Sequence, residues 1–139
     1  MRVHKDRSST ARWGTLAGAV LSLVWLGGCG KSGIAGELQA FSSSGHSVSG
    51  FNETDAGALG AKKCQAGMID QMAALICEYS SSDAAALGQN TAENWVGEAA
   101  TAVVLRRGSM LFAAADRSGT DPTGKTVSAL GKVFRRIKK

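Results

Sequence analysis

The chain has 139 residues, enough for one domain, with 44% hydrophobic residues and a net charge of +5. This is ordinary globular composition, which excludes a chain too polar to fold. The mild basic excess is unevenly placed, and no nucleic-acid partner is expected from it.

The first twelve residues hold Arg2, Lys5, Arg7 and Arg12 against a single Asp6. Trp13 to Gly28 then carries no charge. That run is too short and too glycine-rich for a comfortable membrane span, which takes about 20 apolar residues. A basic stretch followed by a short apolar core is the build of a secretory signal peptide.

The leader closes on Leu26, Gly27, Gly28 and Cys29. Here the chain resembles bacterial lipoprotein precursors, whose lipobox has a Leu-like residue, two small residues and a cysteine. The resemblance implies a diacylglyceryl thioether on Cys29, cleavage between Gly28 and Cys29, and acylation of the new amine. Small Gly27 and Gly28 suit a narrow protease site, and only a thiol can become the thioether. Two or more acyl chains hold a protein stably on a bilayer, whereas one binds marginally. Residue Gly30 after the cysteine is not the Asp that often retains such proteins at the inner membrane. The resemblance therefore implies the periplasmic face of the outer membrane, or the outer face of the cell membrane in a single-membrane bacterium. It covers residues 1–29 and implies nothing about the domain beyond. Removal of the leader lowers the side-chain charge to about +2.

Three segments are expected: a signal peptide over 1–28, the lipidated cysteine with a flexible Gly/Ser-rich tether over 29–52, and a small domain over 53–139. The tether reading rests on the scarcity of large apolar residues between Gly30 and Gly50. His46, without a partner at ligand spacing, reads as a solvated loop histidine.

The spacing of Ile69, Met72, Ile76 and Tyr79 predicts a helix over Cys64–Tyr79, its methionines filling the core. Ser80 to Asn94 reads as a connection with a short helix at Asp83–Leu87. For residues 98–117 the β-branched cluster before Gly108 favours a buried β-hairpin turning at Arg107-Gly108. A helix from Thr91 to Arg106 is the competing reading. Trp95 is expected to cover an edge of the core. The last helix is expected to be capped by Asp121, with Pro122 at its first position. Its apolar stripe is Val127, Leu130, Val133, Phe134 and Ile137, and basic residues crowd its C-terminal end. The fold class is α+β, a small single domain with two main helices and a β-hairpin, the alternative being an all-α bundle.

Gly119 to Thr126, "GTDPTGKT", obeys the phosphate-loop pattern G-x-x-x-x-G-K-[ST]. Such a loop works by converging backbone N–H groups on phosphate. Pro122 has no N–H to give, and Asp121 places a carboxylate where phosphate oxygens would lie. The thirteen residues after Thr126 leave no room for the parallel sheet and the metal-holding Asp. The match reads as a coincidence, and nucleotide binding is not expected.

With Cys29 taken by lipid, Cys64 and Cys77 remain. Export favours pairing. One continuous helix would hold them roughly 20 Å apart, whereas a disulfide needs Cα atoms within about 7 Å. Pairing thus requires residues 64–67 to leave the helix; a buried thiol at Cys77 or an intermolecular bridge are the alternatives. No metal site, cofactor or catalytic residue is expected. Asp116 and Asp121 could form a carboxylate pair, against a plainer reading as a strand-ending Asp and a helix cap. The expected function is a non-catalytic binding or assembly module of the envelope, bound to the membrane through Cys29 and facing another envelope protein or an anionic envelope polymer. The alternative is a small envelope enzyme or ligand binder using Asp116 and Asp121.

Overall fold

A computed structural model describes residues 32–138; the leader and Cys29 lie outside the described residues. In chain order the elements are α1 (Gly33–Ser43), β1 (Val48–Thr54), β2 (Lys63–Ile69), β3 (Met72–Glu78), α2 (Ser82–Val96), β4 (Ala102–Arg107), β5 (Met110–Ala115) and α3 (Lys125–Arg136). The class is α+β. The strands form one antiparallel sheet in the order β1-β2-β3-β5-β4. Helices α1 and α3 cover one face and α2 the other, giving three layers and two cores.

The central strands β3 and β5 explain the layering. "MAALICE" and "MLFAAA" are near-continuous apolar runs, as strands covered on both faces must be. Alternate side chains feed opposite cores. Met72, Ile76 and Phe112 join Phe41, Leu130 and Phe134 beneath α1 and α3. Leu75, Cys77 and Leu111 join Tyr79, Ala85 and Ala92 beneath α2. Each large side chain fully buried in this way contributes about 1.5–3 kcal/mol.

Five expectations are corrected, the last being the position of the β4–β5 turn. Residues 64–79 form no helix: they are the β2–β3 hairpin, with Ile69 paired to Met72 around an Asp70-Gln71 turn. Both turn residues take positive φ, 48° and 69°. A two-residue hairpin turn of that kind usually announces itself by Asn-Gly. Here the Asp70 carboxylate holds the turn, accepting from the Ser47 amide at 2.7 Å and pairing with His46 at 2.5 Å. His46 is accordingly half-buried rather than solvated.

The second correction concerns the tether. Residues 33–43 are α1 and 48–54 are β1, so most of the expected tether is part of the folded domain. Ile34, Glu37 and Phe41, at helical spacing, face inward, and Phe41 is wholly buried. Three anchors are enough to order a segment whose average composition looked too polar.

Third, the described residues hold three helices rather than two. Helix α2 runs fifteen residues from Ser82, where a five-residue helix had been expected. Ser81 caps it, its hydroxyl accepting from the Ala84 amide, and Gly97 (φ 59°) ends it. Gly88 lets it lie on Tyr79: a Cβ there would stand 2.1 Å from the tyrosine oxygen. Fourth, α3 starts at Lys125, not Pro122, after a turn closed by Gly124 N–H to Asp121 O. Its stripe is placed as expected, with Val127, Leu130 and Phe134 buried and Val133 and Ile137 packed beside them.

The β4–β5 hairpin exists, but Arg107 pairs with Met110, so the turn is Gly108-Ser109. Gly108 (φ 58°) takes the first turn position, where hairpins favour glycine. Trp95 packs partly buried against the α2 core. Of the methionines, Met72 and Met110 are core, whereas Met68 is 40% exposed.

Candidate functional site

Cys29 and the Gly28–Cys29 cleavage point fall outside the described residues. Cys64 and Cys77 are joined in a disulfide directly across β2 and β3, Cα atoms 4.1 Å apart. The distance obstacle belonged to the helix and disappears with it. The pair is fully buried under α2 and the loop at Leu59, so it staples the sheet and offers no accessible sulfur.

Asp116 and Asp121 come together, but as two nested loop staples. The Asp116 carboxylate accepts from the Asp121 amide at 2.8 Å and the Thr120 amide at 3.1 Å. Those bonds, the Asp121 amide first, hold its carboxyl below the ordinary carboxylate range, outweighing the opposite effect of burial. The Asp121 carboxylate in turn accepts from the Val127 amide at 3.0 Å, in the first turn of α3. Asp121 thus acts as the helix's capping acceptor from three residues before Gly124, the cap position. Among the described residues neither carboxylate forms an ion pair, although Asp116 and Arg117 line one shallow cavity with Glu98 and Ser118. Arg117 lies over the Trp95 ring at 4.8 Å and donates to Trp95 O. Arg106 sits at the other end of the sheet and donates to Ser82 O.

The same geometry places Gly119 to Thr126. The segment does join a strand to a helix, as a phosphate loop does. Yet the protein's own Asp121 oxygen occupies the helix-terminal amide that phosphate would need.

A cavity of about 820 Å³ opens between α1, the end of α3 and the β4–β5 turn. Its charged lining is Glu37, Glu78, Arg107 and Lys138. Glu37 is 4% exposed and pairs with the Arg107 guanidinium. Arg107 also donates to Phe134 O at 3.1 Å and lies over the Phe134 ring. One arginine therefore joins α1, β4 and the last turn of α3. Burial pushes the Glu37 carboxyl above its ordinary value, against the pull of Arg107. The second Glu37 oxygen is buried without a hydrogen-bond partner. Glu78 closes the rim: a Cβ on Gly33 would stand 2.9 Å from its carboxylate.

Sequence reasoning missed this cluster. The available signal was Glu37 itself, a lone acid three residues after Ile34 and four before Phe41, on the inward face of a helix. Arg107, expected at the hairpin turn, is instead the half-buried last residue of β4.

Among the described residues no group of three or more His, Cys, Asp or Glu side chains is placed to hold a metal ion. No described helix is long and apolar enough to cross a membrane. The architecture is thus a five-stranded antiparallel sheet between two helices and one, with a polar cavity at one end. No family model, no curated protein and no solved structure matches the chain.

Proposed function

We propose that this chain is a lipid-anchored protein of the bacterial cell envelope. Its folded part is a non-catalytic binding or assembly module, held at the periplasmic face of the outer membrane. In a single-membrane bacterium the same anchor would hold it at the outer face of the cell membrane. The observation that carries the reading is the sequence Leu26-Gly27-Gly28-Cys29 directly after a basic stretch and a charge-free core.

Two structural features support it. The Cys64–Cys77 disulfide suits an oxidising compartment outside the cytosol. The Asp116 and Asp121 carboxylates both hold backbone amides, which fits loop and helix support better than catalysis. A second reading, small-ligand binding, is favoured by the cavity around Glu37, whose unpartnered oxygen invites a donor.

Purification of the acylated protein from membranes, with Cys29→Ala as control, tests the proposal. Membrane recovery that depends on Cys29, together with an envelope protein co-purifying at fixed stoichiometry, is the expected result. Equal recovery of the Cys29→Ala form from membranes would refute the anchor. Recovery of the anchored protein alone, with a small molecule bound, would favour the second reading.

A further inference from the structure

The antiparallel register gives the sheet two distinct poles. Thr54, Lys63, Glu78 and Arg107 lie at one, Val48, Ile69, Ala102 and Ala115 at the other. Both ends of the described chain emerge at the first pole. Helix α1 begins there, with Gly33 against Glu78. Helix α3 ends there, with Phe134 O bonded by Arg107. Ser32 and Lys138 consequently line one and the same cavity.

The charges divide along the same axis. The first pole exposes Lys62, Lys63, Arg106, Arg135, Arg136 and Lys138. Its acids are partly neutralised in place: Glu37 by Arg107, and Glu53 by Lys63 at 3.5 Å. Glu78 at the cavity rim, Asp55 and Asp83 remain, fewer than the exposed cations. The second pole has Asp70, Glu98, Asp116 and Asp121, opposed by Arg117, Lys125 and, when protonated, His46. One pole is therefore cationic and the other anionic, although the ten acidic and ten basic side chains of residues 32–138 balance.

We propose that the cationic pole is a docking surface for the anionic phospholipid headgroups of the leaflet that holds the acyl chains. The inference rests on the lipid-anchor reading. Two residues, Gly30 and Lys31, separate Cys29 from Ser32, a span of three Cα steps or at most about 10 Å when fully extended. That is close to the Debye length of about 8 Å at physiological ionic strength, so headgroup charge reaches the pole incompletely screened. Individually weak contacts become effective because the leash makes docking intramolecular. The acidic pole is turned away by the same field. The cavity mouth then faces the membrane, while α2 and its exposed Leu87 stand at the flank, open to other envelope proteins.

The test uses the acylated full-length mature protein in vesicles of phosphatidylcholine alone, or with about a third phosphatidylglycerol. A membrane-impermeant amine reagent is applied and labelling at each lysine is read by mass spectrometry. On anionic vesicles Lys62, Lys63 and Lys138 should label about five-fold more slowly than in detergent, with Lys125 unchanged, and high salt should restore the rate. Neutral vesicles should give little protection. Uniform labelling of an acylated protein on anionic vesicles overturns the docking and leaves the anchor standing. Equal protection on neutral vesicles overturns it too, because the leash alone would suffice. A Cys29 without acyl mass removes the anchor reading, and the docking with it.

Discussion

Cys64 faces Cys77 across the β2–β3 ladder, and the disulfide between them closes a hairpin rather than a helix. The bond links strands already joined by a two-residue turn, under α2, where no reductant reaches it without opening the sheet. Closing a loop of this length is worth about 3 kcal/mol through restriction of the unfolded chain. The double variant Cys64→Ala/Cys77→Ala should therefore fold with a stability lower by about that amount, read from the urea midpoint. A midpoint equal to that of the oxidised wild type would show that the bridge contributes nothing.

Gly88 and Tyr79 set the height of α2 above the sheet. Alanine at position 88 gains about 1 kcal/mol of helix propensity. Its Cβ, however, would meet the Tyr79 ring and hydroxyl at 2.1–2.7 Å, and that hydroxyl donates to Leu59 O. The clash wins, and Gly88→Ala should be destabilised by a net of about 1–2 kcal/mol. A more stable Gly88→Ala protein would mean that α2 does not rest on the tyrosine.

The Glu37–Arg107 pair makes a pH-dependent prediction. Removing Arg107 alone leaves a buried carboxylate without its partner, so Arg107→Met should cost about 3 kcal/mol at neutral pH. The double variant Glu37→Met/Arg107→Met should lose clearly less, since neither charge is then buried. Because burial raises the folded pKa of Glu37, its contribution to stability is fullest below the ordinary value of about 4.3 and is lost as pH rises through the raised one. Glu37→Gln should flatten that part of the stability profile. A profile unchanged by the substitution would contradict the assignment.

Asp116 works in the opposite direction. Its carboxyl is held low by loop amides, so its contribution is present above about pH 3.9 and fades as pH falls through the lowered value. Asp116→Ala should speed hydrogen exchange at the Thr120 and Asp121 amides and at the start of α3, leaving β2 and β3 protected. Unaltered exchange at those amides would place the loop's support elsewhere.

The legible parts of the fold were those with one unmistakable period. Val127, Leu130 and Phe134 could only be a helix face, and the β-branched run before Gly108 marked a strand. The β2–β3 hairpin was hidden because Ile69, Met72, Ile76 and Tyr79 happen to repeat at helical spacing across a turn. That turn, Asp70-Gln71, lacks glycine and is held by Ser47 and His46 from a distant segment. Helix α1 was hidden by averaging: its three inward side chains are diluted by serine and glycine. Long-range satisfaction decided both cases, and composition does not report it. The Glu37–Arg107 pair spans seventy positions and follows only once α1 is known. Asp121 was legible as an acceptor for the start of α3 because its partner is local, but the helix begins three residues later than Pro122.

The proposed anchor depends on the sulfur of Cys29. Intact-mass and N-terminal peptide analysis of the protein extracted from membranes tests it most directly. The predicted result is a chain beginning at Cys29 that carries a diacylglyceryl group and an acylated amine. A soluble chain that keeps residues 1–28 and a free thiol at position 29 would contradict it.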